Sequence, residues 1–215
     1  MTVGALKARL REALAGPLPG REAQQGMAPR PRPGWRPDVP ADNRRLAAAL
    51  LLIYPGPAGA SLVLTIRSGA LAQHGGQVSL PGGAVSDGES LADAALREAR
   101  EEIGIEPAAV RILGVLTPLD IPVSGFRLHP VIGVMDHRAD FFAADGEVER
   151  ILEVPLEDLL DPARVGFDRR LRDGVHYDVP LFRVEGEVVW GATAMVLAEF
   201  LWLLGWRPAP TRNSE

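Results

Sequence analysis

Between Gly83 and Ile105 the chain reads GAVSDGESLADAALREAREEIGI, which sets Arg97-Glu98 and Glu101-Glu102 on one predicted helix. Glu98 and Glu102 form an i,i+4 pair of like charge, an arrangement that weakens a helix by about 0.2–0.5 kcal/mol. So many carboxylates on two turns call for positive charge among them. A hard divalent cation is one answer, because oxygen-only donors select Mg2+, Mn2+ or Ca2+ over zinc. Arg97 is another. Glu101 lies four residues beyond it, and its long side chain can reach back toward Glu89, so it reads as an orienting counter-charge.

The helix itself is expected over Leu91–Ile103. Ser90 is a good N-cap, Asp93 holds the capping-box position, and Gly104 is a natural C′ terminator. At 100° per residue from Leu91, residues Ala92, Ala95, Leu96, Ala99 and Ile103 fall between about 40° and 140° and form a small-residue face for packing on a sheet. Glu102 near 20° and Glu98 near 340° border that face by the same rule. The solvated alternative, a charged helix surface and nothing more, has to explain two glutamates at the rim of a buried face with no lysine four residues away.

The elements that must position this helix are legible around it. Residues 3–15 read as a short amphipathic helix with Leu6, Leu10 and Leu14 four apart. Residues 17–40 are rich in Pro, Gly and Arg and read as an extended arm, with the compact domain beginning near Ala41. Strands are expected at 46–54, 61–67 and 77–80, and beyond the helix at 110–116, 128–135 and 146–154. A short helix at 155–160, a hairpin of 177–184 with 187–190, and a buried helix at 193–204 complete the chain. The fold class is α/β, a mixed sheet covered by helices on its faces.

Composition narrows the chemistry. The chain has 215 residues and a formal charge of −5, which argues against a broad nucleic-acid footprint but leaves room for a small anionic substrate. It has no cysteine, so thiol catalysis and disulfides are excluded. None of its four histidines has triad spacing. The N-terminus lacks a signal-peptide core, and the apolar stretch 192–204 contains Glu199 and is too short to span a bilayer. The expected setting is cytoplasmic, with no membrane and no nucleic acid as partner. Association into a homodimer is left open.

Gly83, Glu89, Arg97-Glu98, Ala99, Glu101-Glu102, Gly104 and Ile105 fill every fixed place of the Nudix box, and the chain resembles that family of hydrolases. The resemblance implies an α/β/α sandwich and Mg2+- or Mn2+-dependent hydrolysis of a nucleoside diphosphate linked to another group. It makes Glu98 and Glu102 metal ligands, and Glu101 a further ligand or a group acting on water. Glu89 either joins them or only holds Arg97.

Upstream, LVLTIRSGALAQHGGQVSLPGG from Leu62 to Gly83 is similar to the signature of the coenzyme A pyrophosphatase branch of that family. Leu64, Thr65, Arg67, Ser68, Gly76, Gln77, Val78 and Pro81-Gly82-Gly83 match as they stand. Ala72 replaces an arginine of that signature, which takes away one candidate phosphate contact, and Leu80 conservatively replaces a phenylalanine. The likeness extends over roughly 45–204. It implies cleavage of coenzyme A to 3′,5′-ADP and 4′-phosphopantetheine, with ADP-ribose, NADH or dinucleoside polyphosphates as alternative substrates of the same chemistry. A non-catalytic Nudix-like binding domain is the contrasting reading, and such domains usually lose box carboxylates that this chain keeps.

For the substrate, Arg67 and Arg127 are candidate phosphate contacts, each with an ordinary ion pair or exposed charge as its alternative. Gln77, Gly82 and Gly83 line the expected cleft. Glu147 and Glu149 are candidate accessory acid or base groups, or solvated charges. His74 could line the cleft or bond within its loop. Trp202 and Trp206 read as packing residues rather than an adenine platform.

Overall fold

Eight consecutive buried residues, Ala47–Tyr54, make strand β1 (Arg45–Gly56) the spine of the molecule. A strand that reads as an unbroken apolar run is one covered on both faces. The computed structural model describes residues 1–31, 44–69, 75–143, 146–172 and 174–207, and it shows that cover directly. Ala48, Leu50, Leu52 and Tyr54 pack with Ala95, Ala99 and Ile103 of helix α3 (Leu91–Ile103). On the other face Leu51 and Ile53 join Val196 and Phe200 of α5 (Gly191–Leu203), together with Leu6 and Leu10 of α1 (Val3–Leu14). The result is the expected α/β/α sandwich around a mixed sheet.

Along β1 runs β7 (Phe126–Val134), parallel, from Arg45↔Phe126 to Ile53↔Val134. The other side of β1 is shared. Its C-terminal end pairs antiparallel with β2 (Gly59–Arg67), and its N-terminal part pairs with β4 (Gly82–Ala84). β2 continues past β1 to take β3 (Val78–Ser79) on the same side and β8 (Val148–Pro155) on its other side. Thus β1 and β2 splay apart, and the short segments β3 and β4 fill the gap. β5 (Arg111–Val115) and β6 (Leu119–Ile121) both pair with β7. Helix α4 (Leu156–Leu160) leads into a separate three-stranded antiparallel sheet, with β10 (Val175–Val184) between β9 (Val165–Arg172) and β11 (Glu187–Trp190).

Three differences from the sequence expectation have physical causes. The run from 17, expected to be extended, contains a short helix, α2 (Gly20–Gln25). It is held by tertiary bonding: Gln24 Nε2 donates to Glu199 Oε2 at 2.8 Å and to the Thr117 carbonyl at 3.0 Å. The Thr117 N–H donates to Glu199 Oε1 at 3.1 Å, so the one carboxylate inside apolar α5 is bonded at both oxygens. β6 and β9 were not expected; β9 is rich in charge and is a strand because β10 pairs along its whole length. Finally, Glu102 does not border the buried face of α3 but lies within it, only 3% exposed, because Ala94 is buried too while Ala92 and Leu96 are half-buried. The boundary expected at 40/41 and the positions Ala72 and His74 lie outside the described residues. Among those residues no helix is long and apolar enough to cross a membrane.

The segment after β7 is fastened to the α3 face. Tyr54, fully buried, donates to Glu153 Oε2 at 2.6 Å, and Arg138 donates to the same carboxylate at 2.7 and 3.2 Å. The Tyr54 and Phe141 rings meet edge to face at 4.9 Å. Burial and the neighbouring Glu153 carboxylate push the Tyr54 phenol up, so it keeps its proton. Against the burial that would raise it, Arg138 and Tyr54 hold the Glu153 carboxyl below its ordinary 4.5. A carboxyl lowered on folding stabilises the fold above its unfolded value and loses that contribution as pH falls through the folded one. Tyr54→Phe should therefore lower the stability measured by urea unfolding at pH 7 by about 1.5–3 kcal/mol. The gap between variant and parent should narrow on acidification below 4.5; a gap that stays constant would contradict the clamp.

Candidate functional site

Helix α3 starts and stops where its caps dictate. The Ser90 hydroxyl accepts from the Asp93 N–H at 3.1 Å and donates to Asp93 Oδ2 at 2.6 Å. Gly104 ends the helix in the left-handed region at φ 71°, its N–H on the Arg100 carbonyl. A side chain there would be strained and would also strike the Phe142 ring. The middle of the helix, at Arg97 and Glu98, lies against β4. A Cβ on Gly83 would collide with the Glu98 carboxylate, so the missing side chain is what lets that carboxylate rest against the strand.

Arg97 gathers the acidic groups. Its Nε and Nη2 donate to the two oxygens of Glu89 at 2.9 and 3.1 Å, and Nη2 also reaches the Ala84 carbonyl at 3.0 Å. Nη1 donates to Glu98 Oε1 at 2.8 Å and to Glu101 Oε2 at 3.3 Å. One guanidinium thus ties the β4 strand, the loop before α3 and two helical turns together, using the forked donor geometry that lysine lacks. The consequence is mutual. Hydrogen bonds from Arg97 and from the Ser86 N–H hold the Glu89 carboxyl below the usual range, and the Glu89 and Glu98 carboxylates hold the Arg97 proton more tightly.

Glu102, one turn beyond Glu98, has its own arginine. Arg67, at the end of β2, brings Nη1 to 3.8 Å from Glu102 Oε1 and Nη2 to 3.4 Å from Glu147 Oε2. The Arg67 N–H donates to the Gln77 carbonyl at 3.0 Å, and the Ser68 N–H to the Glu147 carbonyl at 2.6 Å. Arg67, Gln77, Glu102 and Glu147 are therefore one neighbourhood, next along α3 from Gly83, Glu98, Arg97 and Glu101. Gly82 is paired with Ala49 on β1 beside it. Arg67 is engaged in an ion pair, the structural alternative to a phosphate contact.

Other expected site residues fall differently. Glu149 lies at the bulge where β8 slips its register against β2, between Ile66 and Arg67, and it is exposed. Arg127 is not with the glutamate cluster. It sits on β7, where it donates to Asp120 Oδ1 at 2.8 Å, and Arg44 approaches the same oxygen to 3.2 Å. Trp206 is buried and packs on Phe182 at 5.6 Å, while Trp202 is covered by Arg207 at 4.0 Å. Nothing local in the sequence signals the Arg67–Glu102–Glu147 grouping, whose outer members are 80 positions apart, or the Ala84 carbonyl as an anchor for Arg97.

The donors on α3 fit a hard divalent cation in chemical type, being carboxylate oxygens on adjacent turns with the Gly83 backbone against them. As they stand, each is drawn to an arginine, and among the described residues no three acidic or imidazole groups are gathered closely enough to hold an ion.

Residues 43–173 match the family model described as the NUDIX domain. Over 176 residues the chain is 40% identical to a protein of Citrobacter koseri named as the uncharacterized Nudix hydrolase NudL, covering 80% of this chain and 91% of that one. It is also 40% identical over 167 residues to the NudL of Cronobacter sakazakii, covering 77% and 86%. Among solved structures, the Nudix hydrolase RenU of M. smegmatis superposes with a TM-score of 0.54 over 79% of this chain and 91% of that chain. At 19% identity that is a likeness of fold.

The Gly83 contact is testable. Gly83→Ala places a methyl where the Glu98 carboxylate lies, and a displacement of the order of 1 Å in such a site costs about 100-fold in rate. The variant should show that loss of diphosphate turnover with little change in melting temperature, since Glu98 is a flexible side chain that can move aside. Undiminished turnover would show that Glu98 need not rest on β4.

Proposed function

This chain belongs to the Nudix hydrolase family, and on that premise we propose that it is a metal-dependent pyrophosphatase cleaving the diphosphate of coenzyme A or its derivatives. The observation that carries the substrate reading is the contact between the 62–83 stretch and the box. Arg67 stands on Glu102, Gln77 on Arg67, and Gly83 under Glu98. The described ends of the stretch similar to the coenzyme A branch therefore lie against the carboxylate helix, which supports assigning substrate choice to it.

Glu98 and Glu102 would hold Mg2+ or Mn2+, with Glu101 as a further ligand or the group that receives a proton from water. Such an ion, when bound, neutralises the charge of the diphosphate and lowers the pKa of water toward neutrality. The remaining work belongs to the chain. Arg97 keeps Glu89, Glu98 and Glu101 from repelling one another and fixes their rotamers. Arg67 does the same for Glu102 and Glu147, leaving Glu147 half in solvent where an accessory base is useful. Gly83 lets the Glu98 carboxylate rest against β4, and Gly82 lets β4 lie tight against β1, where a Cβ would strike Ala48 and Ala49. Positioning and electrostatics are the main requirements of phosphoryl chemistry, and no covalent nucleophile is needed.

Product analysis with coenzyme A and Mg2+ or Mn2+ tests substrate, bond and metal together. The expected products are 3′,5′-ADP and 4′-phosphopantetheine. Absence of turnover beside brisk cleavage of ADP-ribose, NADH or a dinucleoside polyphosphate would replace the substrate within the same chemistry. Glu98→Gln and Glu102→Gln should each lower kcat on the order of 1000-fold, the equivalent of several kcal/mol of lost charge stabilisation. Full activity in either variant would remove that residue from the site.

A further inference from the structure

We propose that β9 is the seam of a homodimer in which two copies join their three-stranded sheets edge to edge across a twofold axis at Arg169. β9 is the last strand of its sheet among the described residues. Which of its backbone groups face outward follows from the partner strand. Asp178 exchanges both of its backbone hydrogen bonds with Arg30, at 2.8 and 2.9 Å, on the side of β10 away from β9. Asp178 is the residue opposite Arg169. In an antiparallel pair hydrogen-bonded and non-bonded positions alternate, so Arg169 is a non-bonded position toward β10 and points its own N–H and C=O to the outer edge. By the same alternation Phe167 and Leu171 do so as well.

Among the strand's described side chains, those three residues also carry the exposed ones. Phe167 is 50% exposed and Leu171 65%, and the Arg169 side chain is 72% exposed. Two large apolar groups beside a row of outward donors and acceptors form a template for another strand.

The sequence of β9 selects a second copy of itself. With the axis at Arg169, Phe167 of each chain meets Leu171 of the other on one face, and Asp168 of each meets Arg170 of the other on the opposite face. All three outward positions then meet outward positions, each pair exchanging two N–H···O bonds. Placing the axis at Asp168 would set Phe167 against Arg169, and placing it at Arg170 would set Leu171 against Arg169, so both lose the apolar pairing of Phe167 with Leu171. The chosen axis does oppose two Arg169 side chains, but each has Asp178 beside it at 3.7 Å on its own β10. The interface is isologous and closed, as expected for a twofold dimer.

The natural chain contains no cysteine, so a single introduced thiol reports the geometry without background. In Arg169→Cys the two Cα atoms should stand about 5.5 Å apart across the axis, within disulfide range. In Phe167→Cys the matching atoms should be about 14 Å apart, from four residues of strand rise. The full chain should sediment as a dimer at tens of micromolar. Mild oxidation should cross-link the first variant and leave the second as separable chains. Leu171→Pro, which removes one outward donor without breaking a bond to β10, should halve the sedimenting mass while the thermal transition persists. A monomeric parent chain, equal cross-linking of the two cysteine variants, or a dimer undisturbed by Leu171→Pro would overturn the proposal.

Discussion

Carboxylates placed on adjacent turns of one helix repel, and in this molecule that repulsion is offset by two arginines brought from different directions. Arg97 rises from the helix itself and bonds Glu89, Glu98 and Glu101. Arg67 comes from the end of β2 and meets Glu102 and Glu147. Glu102 makes the constraint severe, because a charge in the buried face of a helix is costly without a counter-charge. The splay of β1 and β2 answers it: by opening the sheet where β2 ends, the fold lets Arg67 reach the underside of α3 while β3 and β4 fill the gap.

The same arrangement explains why small residues crowd this end of the sheet. Ala47, Ala48 and Ala49 pair with Ala84, Gly83 and Gly82, and Ala95 and Ala99 face Ala48 from the helix. Close packing of helix on strand brings Glu98 down onto Gly83. Leu50, Leu52 and Tyr54 further along β1 fix the helix, and α1 and α5 back the sheet from behind. The site is thus held by rigid elements, the condition for precise placement of charged groups.

Much of this was legible in the sequence where the determinants are local. The period, Ser90 and Gly104 define α3 to the residue, and the apolar run 46–54 announces a strand. The helical projection erred by about 60° in the centre of the buried face, since nothing local says whether Ala94 or Ala92 meets the sheet. That error placed Glu102 at the border instead of in the face. α2 and β9 were illegible for a related reason. Six residues between Pro19 and Gly26 form a helix because Glu199, far along the chain, needs the Gln24 amide. β9 forms because β10 offers it a ladder. The pairing of Arg67 with Glu147 is likewise a product of the sheet and has no local trace.

The claim that arginine counter-charge organises the carboxylate helix is tested most directly by a double-mutant cycle between Arg97 and Glu89, read by equilibrium unfolding in the absence of divalent metal. Arg97→Gln and Glu89→Gln should be non-additive, with a coupling of about 0.5–3 kcal/mol, the range found for residues within one ion-pair network. Additivity to within about 0.3–0.5 kcal/mol would mean that the two groups act independently, and would contradict the account.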